Sequence, residues 1–145
     1  LGGVYMDKKQ FLSIAREFFR EKGCQIIKNS RFIYQEPDFD VEFLMFHSNY
    51  GEYYYLEYFF YLHGMDSYYP KSLESSSGRV KVMEKWEIEY LEINPEVFAE
   101  RLEKAFDAVL KPIFEQGMQY VVELWKKHKC LFFPDAVKYL KSIDK

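Results

Sequence analysis

Three histidines, two cysteines, a run of serines and a block of carboxylates are the residues of this chain that could do chemistry. His47, His63 and His128 show no HxH, HExxH or facial-triad spacing, so no metal ligand set is expected. Cys24 and Cys130 form no CxxC pair and have no histidine at zinc-finger spacing, so they read as reduced, mostly buried thiols. Ser75-Ser76-Ser77 lacks the strand-to-helix elbow that exposes a nucleophile, and no His–Asp partner stands out. Neither a Walker loop nor GxGxxG is present; Gly2-Gly3 precedes no strand-to-helix turn. Glu87 and Glu89 share a strand face, as surface acids often do, and predict no glycosidase pair. Neither catalysis nor a cofactor is therefore expected.

Counting charge by segment is more informative than the total of -3. Residues 36–66 hold seven acids and no base: Glu36, Asp38, Asp40, Glu42, Glu52, Glu57 and Asp66. Residues 1–35 are net +4, residues 67–93 net -1 and residues 94–145 net +1. The acidic block coincides with the most aromatic stretch of the chain. Carboxylates there would repel phosphates, and the βαββαβ order of a common RNA-binding fold is missing, so no nucleic-acid partner is expected. Lys126, Lys127 and Lys129 read as a helix end satisfying its dipole.

The elements that must carry these residues follow from periodicity. Asp7 as N-cap and Gln10 three residues on predict a helix to about Lys22, with an apolar stripe at Phe11, Leu12, Ile14, Ala15, Phe18 and Phe19. Gly23 stands where a left-handed cap is wanted. Strands are predicted over Cys24–Lys28, Arg31–Gln35, Val41–Ser48 and Glu52–His63, with turns at Asn29-Ser30 and Asn49-Tyr50-Gly51. His63–Gly78 reads as a loop, and alternation from Arg79 to about Ile93 predicts another strand, bent partway. Asn94 and Pro95 open a helix that Pro112 should end or kink near Leu110. After a break at Gly117, helices are predicted over Met118–Lys129 and from Pro134 to about Ser142. The expected class is α+β: an N-terminal helix, an antiparallel meander of about four to five strands, and C-terminal helices packed on the sheet.

One α+β domain is expected over residues 6–145. Leu1–Tyr5 reads as a leader or tag remnant: Leu-Gly-Gly-Val-Tyr-Met back-translates to a GGAGG shortly before an ATG, so translation is expected to start at Met6. No signal-peptide pattern leads the fold, which places the protein in the cytoplasm, and no run reaches the roughly 18 apolar residues of a membrane span. One residue in five is aromatic, enough burial to exclude disorder.

Strand parity then sorts the long strand. Tyr54, Leu56, Tyr58, Phe60 and Leu62 are assigned to the helix-covered core. Tyr53, Tyr55, Glu57, Phe59, Tyr61 and His63 form the opposite row, joined from the later strand by Lys81, Lys85, Glu87 and Glu89; of these, Tyr53, Tyr55, Glu57, Phe59, Tyr61, Glu87 and Glu89 are the ones that could meet a partner. If that row faces water, it is an acidic aromatic surface suited to a basic protein partner, and these seven residues are the candidate site. If the C-terminal helices cover it, its tyrosines are ordinary core. On Val41–Ser48 the parity is open, with Val41, Phe43 and Met45 on one side and Leu44 and Phe46 on the other.

Lys22-Gly23-Cys24, the turn Lys28-Asn29-Ser30, the strand Arg31-Phe32-Ile33-Tyr34 and the stretch Trp86–Asn94 before a helix resemble the bacterial family known as domain of unknown function 4304. The likeness spans most of residues 7–128, with Cys24 standing where an aromatic is usual. That family has no agreed activity or catalytic residues, so the resemblance implies none here. The reading is a non-catalytic protein-binding domain, of an immunity or antitoxin-like kind. The alternatives are a small-molecule binder with a Tyr- and Trp86-lined pocket between sheet and helices, and an enzyme of unfamiliar type.

Overall fold

The computed structural model describes residues 5–63, 78–127 and 134–143. Residues 64–77 of the predicted loop, with its serine run and Asp66, and His128, Lys129 and Cys130 lie outside the described residues.

The first helix, α1 (Lys8–Glu21), begins as its sequence dictates: the Asp7 carboxylate accepts the Gln10 N–H at 2.7 Å. Gly23, at φ +93°, ends it in a conformation that a Cβ would strain. Four strands follow as a meander: β1 (Gln25–Lys28), β2 (Arg31–Gln35), β3 (Phe39–His47) and β4 (Tyr54–Leu62). A short β5 (Gly78–Val80) completes an antiparallel sheet in sequence order.

Beyond Val80 the predicted strand over 79–93 does not continue. Residues 81–87 are bends and irregular chain, Ile88 makes an isolated bridge to Tyr54, and Tyr90–Glu92 forms a 3₁₀ turn. Val80, Val82, Ile88 and Tyr90 are buried, while Trp86, which continues the same alternation, is exposed, so period two here does not mark one continuous strand.

The helical half comprises α2 (Pro95–Ala105), α3 (Lys111–Gln116), α4 (Met118–Lys127) and α5 (Pro134–Ile143). The Asn94 side chain caps α2 by accepting the Glu96 N–H at 2.7 Å. Between α2 and α3 the helix widens into a π turn over Phe106–Leu110, where the Lys111 N–H donates to the Phe106 carbonyl. Pro112 explains it: the ring has no N–H to give and would collide with the carbonyl one normal turn back. Where the sequence predicts an end or a kink the helix takes this π turn, and the chain stays helical through it. Gly117, at φ +59°, makes the second break.

One sheet face is filled by rings. Phe11 of α1 stacks on Tyr54 and on Phe98 of α2, both at 4.7 Å between centroids. Phe19 stacks on Phe32 at 4.8 Å and on Phe43 at 4.9 Å. Phe114 of α3 lies 4.1 Å from Tyr34. Offset rings at such distances add about 0.5–1.5 kcal/mol per pair beyond their burial. The α5 helix lies against β4 and α4, with Leu140 buried. No helix among the described residues is long and apolar enough to cross a membrane.

Candidate docking surface and its buried carboxylates

Register settles the parity that the sequence left open. Val41, Phe43 and Met45 pair with Phe60, Tyr58 and Leu56, so they share the helix-covered face. The other face carries Asp40, Glu42, Leu44 and Phe46 opposite Tyr61, Phe59, Glu57 and Tyr55. From β2 it receives Arg31 and Ile33, and from β5 it receives Arg79 opposite Glu57.

This outer face is not an open row. Phe59 is 0% exposed and Tyr61 1%, while Asp40, Glu42 and Glu57 are also buried. Of the two alternatives for the row Tyr53, Tyr55, Glu57, Phe59 and Tyr61, neither holds along its whole length: the row is covered from Glu57 onward, so Glu57, Phe59 and Tyr61 do not form an open surface. Two large rings in line gain several kcal/mol on burial, at about 25 cal/mol per Å² of apolar area, so covering that end is favourable.

Three of the seven acids of the block are likewise spent inside the fold. Glu42 accepts from Arg31 Nε at 2.7 Å, Glu57 from Arg79 Nε at 2.8 Å, and Asp40 meets His63 Nε2 at 3.0 Å. A buried carboxylate without a partner would be prohibitively costly; Glu42 and Glu57 each have an arginine and Asp40 has the His63 ring. The other His63 nitrogen faces the Pro37 carbonyl at 2.8 Å. With acceptors on both sides the ring favours its protonated form. Burial alone pushes its pKa down, yet the Asp40 and Pro37 contacts outweigh that and raise it.

A second cluster closes the β3–β4 hairpin. Glu52 accepts the Tyr90 hydroxyl and lies 3.3 Å from His47 Nε2. The Tyr90 bond, then His47, holds the Glu52 carboxyl below its ordinary range. Burial and Glu52 together push the Tyr90 phenol up to about 12. A weakened base facing a firmly protonated phenol is a structural clamp, tying the hairpin to the 3₁₀ turn. Burial also pushes the Cys24 thiol up to about 12, which leaves it unreactive as a nucleophile. Among the described residues no group of three or more His, Cys, Asp or Glu side chains could hold a metal ion.

What stays accessible is the hairpin end of the outer face. Phe46 is 39% exposed and faces the half-buried Tyr55 across the strands. Tyr53 packs edge-on against Tyr55 at 5.6 Å, and the Arg79 guanidinium covers the Tyr55 ring at 3.9 Å. Burial, then Tyr53, then the Glu87 charge raise the Tyr55 phenol, which puts Glu87 beside this cluster. Because residues 81–87 leave the sheet, Trp86 turns outward and is 47% exposed, with Lys81 Nζ 5.0 Å from its ring. Next to it is a surface cleft of about 230 Å³ whose walls include Glu84, Glu87, Glu89 and Glu92, opposed by Lys85 and Arg101. Lys85 bonds Glu89 at 2.6 Å.

Of the seven residues expected at the site, the structure brings Tyr53, Tyr55, Glu87 and Glu89 to the accessible end. It removes Phe59 and Tyr61 into packing and pairs Glu57 with Arg79. Phe46, Glu84, Glu92 and the outward position of Trp86 escape sequence reasoning, because each depends on register or on the path after β5. Among the described residues, packed rings fill the space between the sheet and α1, α2 and α3 where Phe11, Phe19 and Phe114 lie, and Trp86 is on the surface. The chain matches no protein-family model, and neither a curated protein nor a solved structure is significantly similar to it.

Proposed function

We propose that this chain is a non-catalytic protein-binding domain, of an immunity or antitoxin-like kind, that docks a basic segment of another protein. The contact surface is Trp86 with Phe46, Tyr53 and Tyr55 as aromatic anchors, flanked by Glu84, Glu87, Glu89 and Glu92. The observation that carries the reading is the cleft beside Trp86: four carboxylates against two cations, at the edge of exposed rings. Large amphipathic rings supply most of the energy at protein interfaces, and fixed carboxylates select and steer a cationic partner. The buried pairs Glu42–Arg31, Glu57–Arg79 and Asp40–His63 act indirectly, by holding the strands beneath this surface in register.

The test is calorimetric titration with basic proteins encoded by adjacent genes, at about 20 mM and about 150 mM salt, where screening lengths differ severalfold. Saturable binding that weakens with salt is expected. Trp86→Ala should weaken it about 30-fold, the equivalent of a 2 kcal/mol hot spot. No binding to any basic neighbour at low salt, or binding indifferent to Trp86→Ala, refutes the proposal.

A further inference from the structure

On the other side of Met83 and Arg101 lies a second cleft of about 230 Å³, of opposite sign. Its rim carries Lys81, Arg101 and Lys104, and no carboxylate lines it. Its floor is apolar, built from Val82 and Met83 of the irregular segment and from Ala105, Ala108 and Val109. The helical positions 101, 104, 105 and 108 share one face at the i, i+3, i+4, i+7 spacing, so α2 and the π turn present cations and small apolar residues together. The π turn also accounts for Val109. Sequence periodicity assigns it to the inward stripe, yet it is 37% exposed, because the widened turn rotates it toward the cleft side.

Three cations line this cleft, of which Arg101 also borders the acidic cleft on the other side. On the opposite flank of the helix, Glu103 is already engaged by Lys22 at 2.7 Å. Neither Arg101 nor Lys104 has an ion-pair or hydrogen-bond partner among the described residues. Lys81 rests its ammonium on the Trp86 ring, a contact that an anion could exchange. A bound anion would give Arg101 and Lys104 a partner, and an apolar body would cover Met83, Ala108 and Val109.

We propose that this cleft binds a small organic carboxylate with an apolar body, its charge among Lys81, Arg101 and Lys104 and its body over the π turn. The site adjoins the protein-docking surface, sharing Met83 and Arg101 with its cleft and touching Trp86 through Lys81, but needs no protein partner to be tested. The full chain, labelled with ¹⁵N, is titrated with octanoate and followed by amide and indole NMR shifts. Acetate offers the same charge without the chain; octyltrimethylammonium offers the chain with the opposite charge. Octanoate should give saturable shifts at residues 81–83 and 101–109 and at the Trp86 indole, and neither control should match them. Lys104→Gln, at an exposed position, should weaken octanoate about fivefold, as expected for one charge near water. Ala108→Glu should abolish it, with the remaining spectrum preserved. Equal shifts from acetate, equal shifts from octyltrimethylammonium, or no response by about 10 mM octanoate, a free energy below about 3 kcal/mol, would each overturn the assignment.

Discussion

Replacing Phe59 by Ala separates covered row from open row, because Phe59 and Tyr53 share one strand face and differ in what lies over them. Phe59 has no exposed surface, stacks parallel to Tyr61 at 6.4 Å, and sits across from Glu42. Truncating a ring in such a place costs about 3–5 kcal/mol, the sum of lost transfer energy and the cavity left behind. Water entering that cavity would also reach the Glu42–Arg31 pair. Against a domain stability of about 5–15 kcal/mol this is a large fraction. With a urea slope of about 2 kcal/mol per molar, the midpoint should fall by about 2 M. Tyr53→Ala loses a half-exposed ring and its edge-on contact with Tyr55, about 1 kcal/mol, so its midpoint should move by about 0.5 M. Phe59→Leu, which keeps most of the volume, should fall between them. Equilibrium urea unfolding followed by far-UV circular dichroism and by tryptophan emission measures all three. If Phe59→Ala costs under about 1 kcal/mol, or no more than Tyr53→Ala, the far end of the row is not packed and the division drawn here is wrong.

Two further outcomes probe the buried charges. Arg31→Met strands the Glu42 carboxylate and should cost about 3 kcal/mol, while Arg31→Met with Glu42→Leu should recover most of it; a single variant as stable as the parent in urea contradicts the pairing. His63 has a folded-state pKa above its ordinary 6.5, so its contribution is fully present below about 6.5 and fades as pH rises through the folded value. The melting temperature should accordingly decline over that interval, and His63→Gln should flatten the decline; an unchanged slope in the variant excludes His63 as its source.

The two halves of the site failed to be legible for different reasons. Each carboxylate of the acidic block is plain in the sequence, but its cation is not. Arg31 is eleven positions from Glu42, Arg79 is 22 from Glu57, and His63 is 23 from Asp40. A segment count of charge therefore describes a solvent-facing surface that pairing has largely neutralised. The acidic cleft is not legible because alternation over 79–93 says nothing about whether the backbone stays in a sheet, and Trp86, in phase with buried neighbours, faces out.

Local signals determined the elements. Asp7, Asn94, Gly23, Gly117 and Pro112 act within a turn of where they stand, through caps, positive φ and a missing N–H, and period-two aromatics mark β2 and β4. From them follow the α+β class and the order of helix, meander and helices. Which side of β4 is closed is another matter: both of its faces are aromatic, so composition is nearly symmetric across the pleat. The cross-strand register and the packing over Phe59 and Tyr61 broke that symmetry, by giving one end of the outer row protein neighbours and leaving the other end to water.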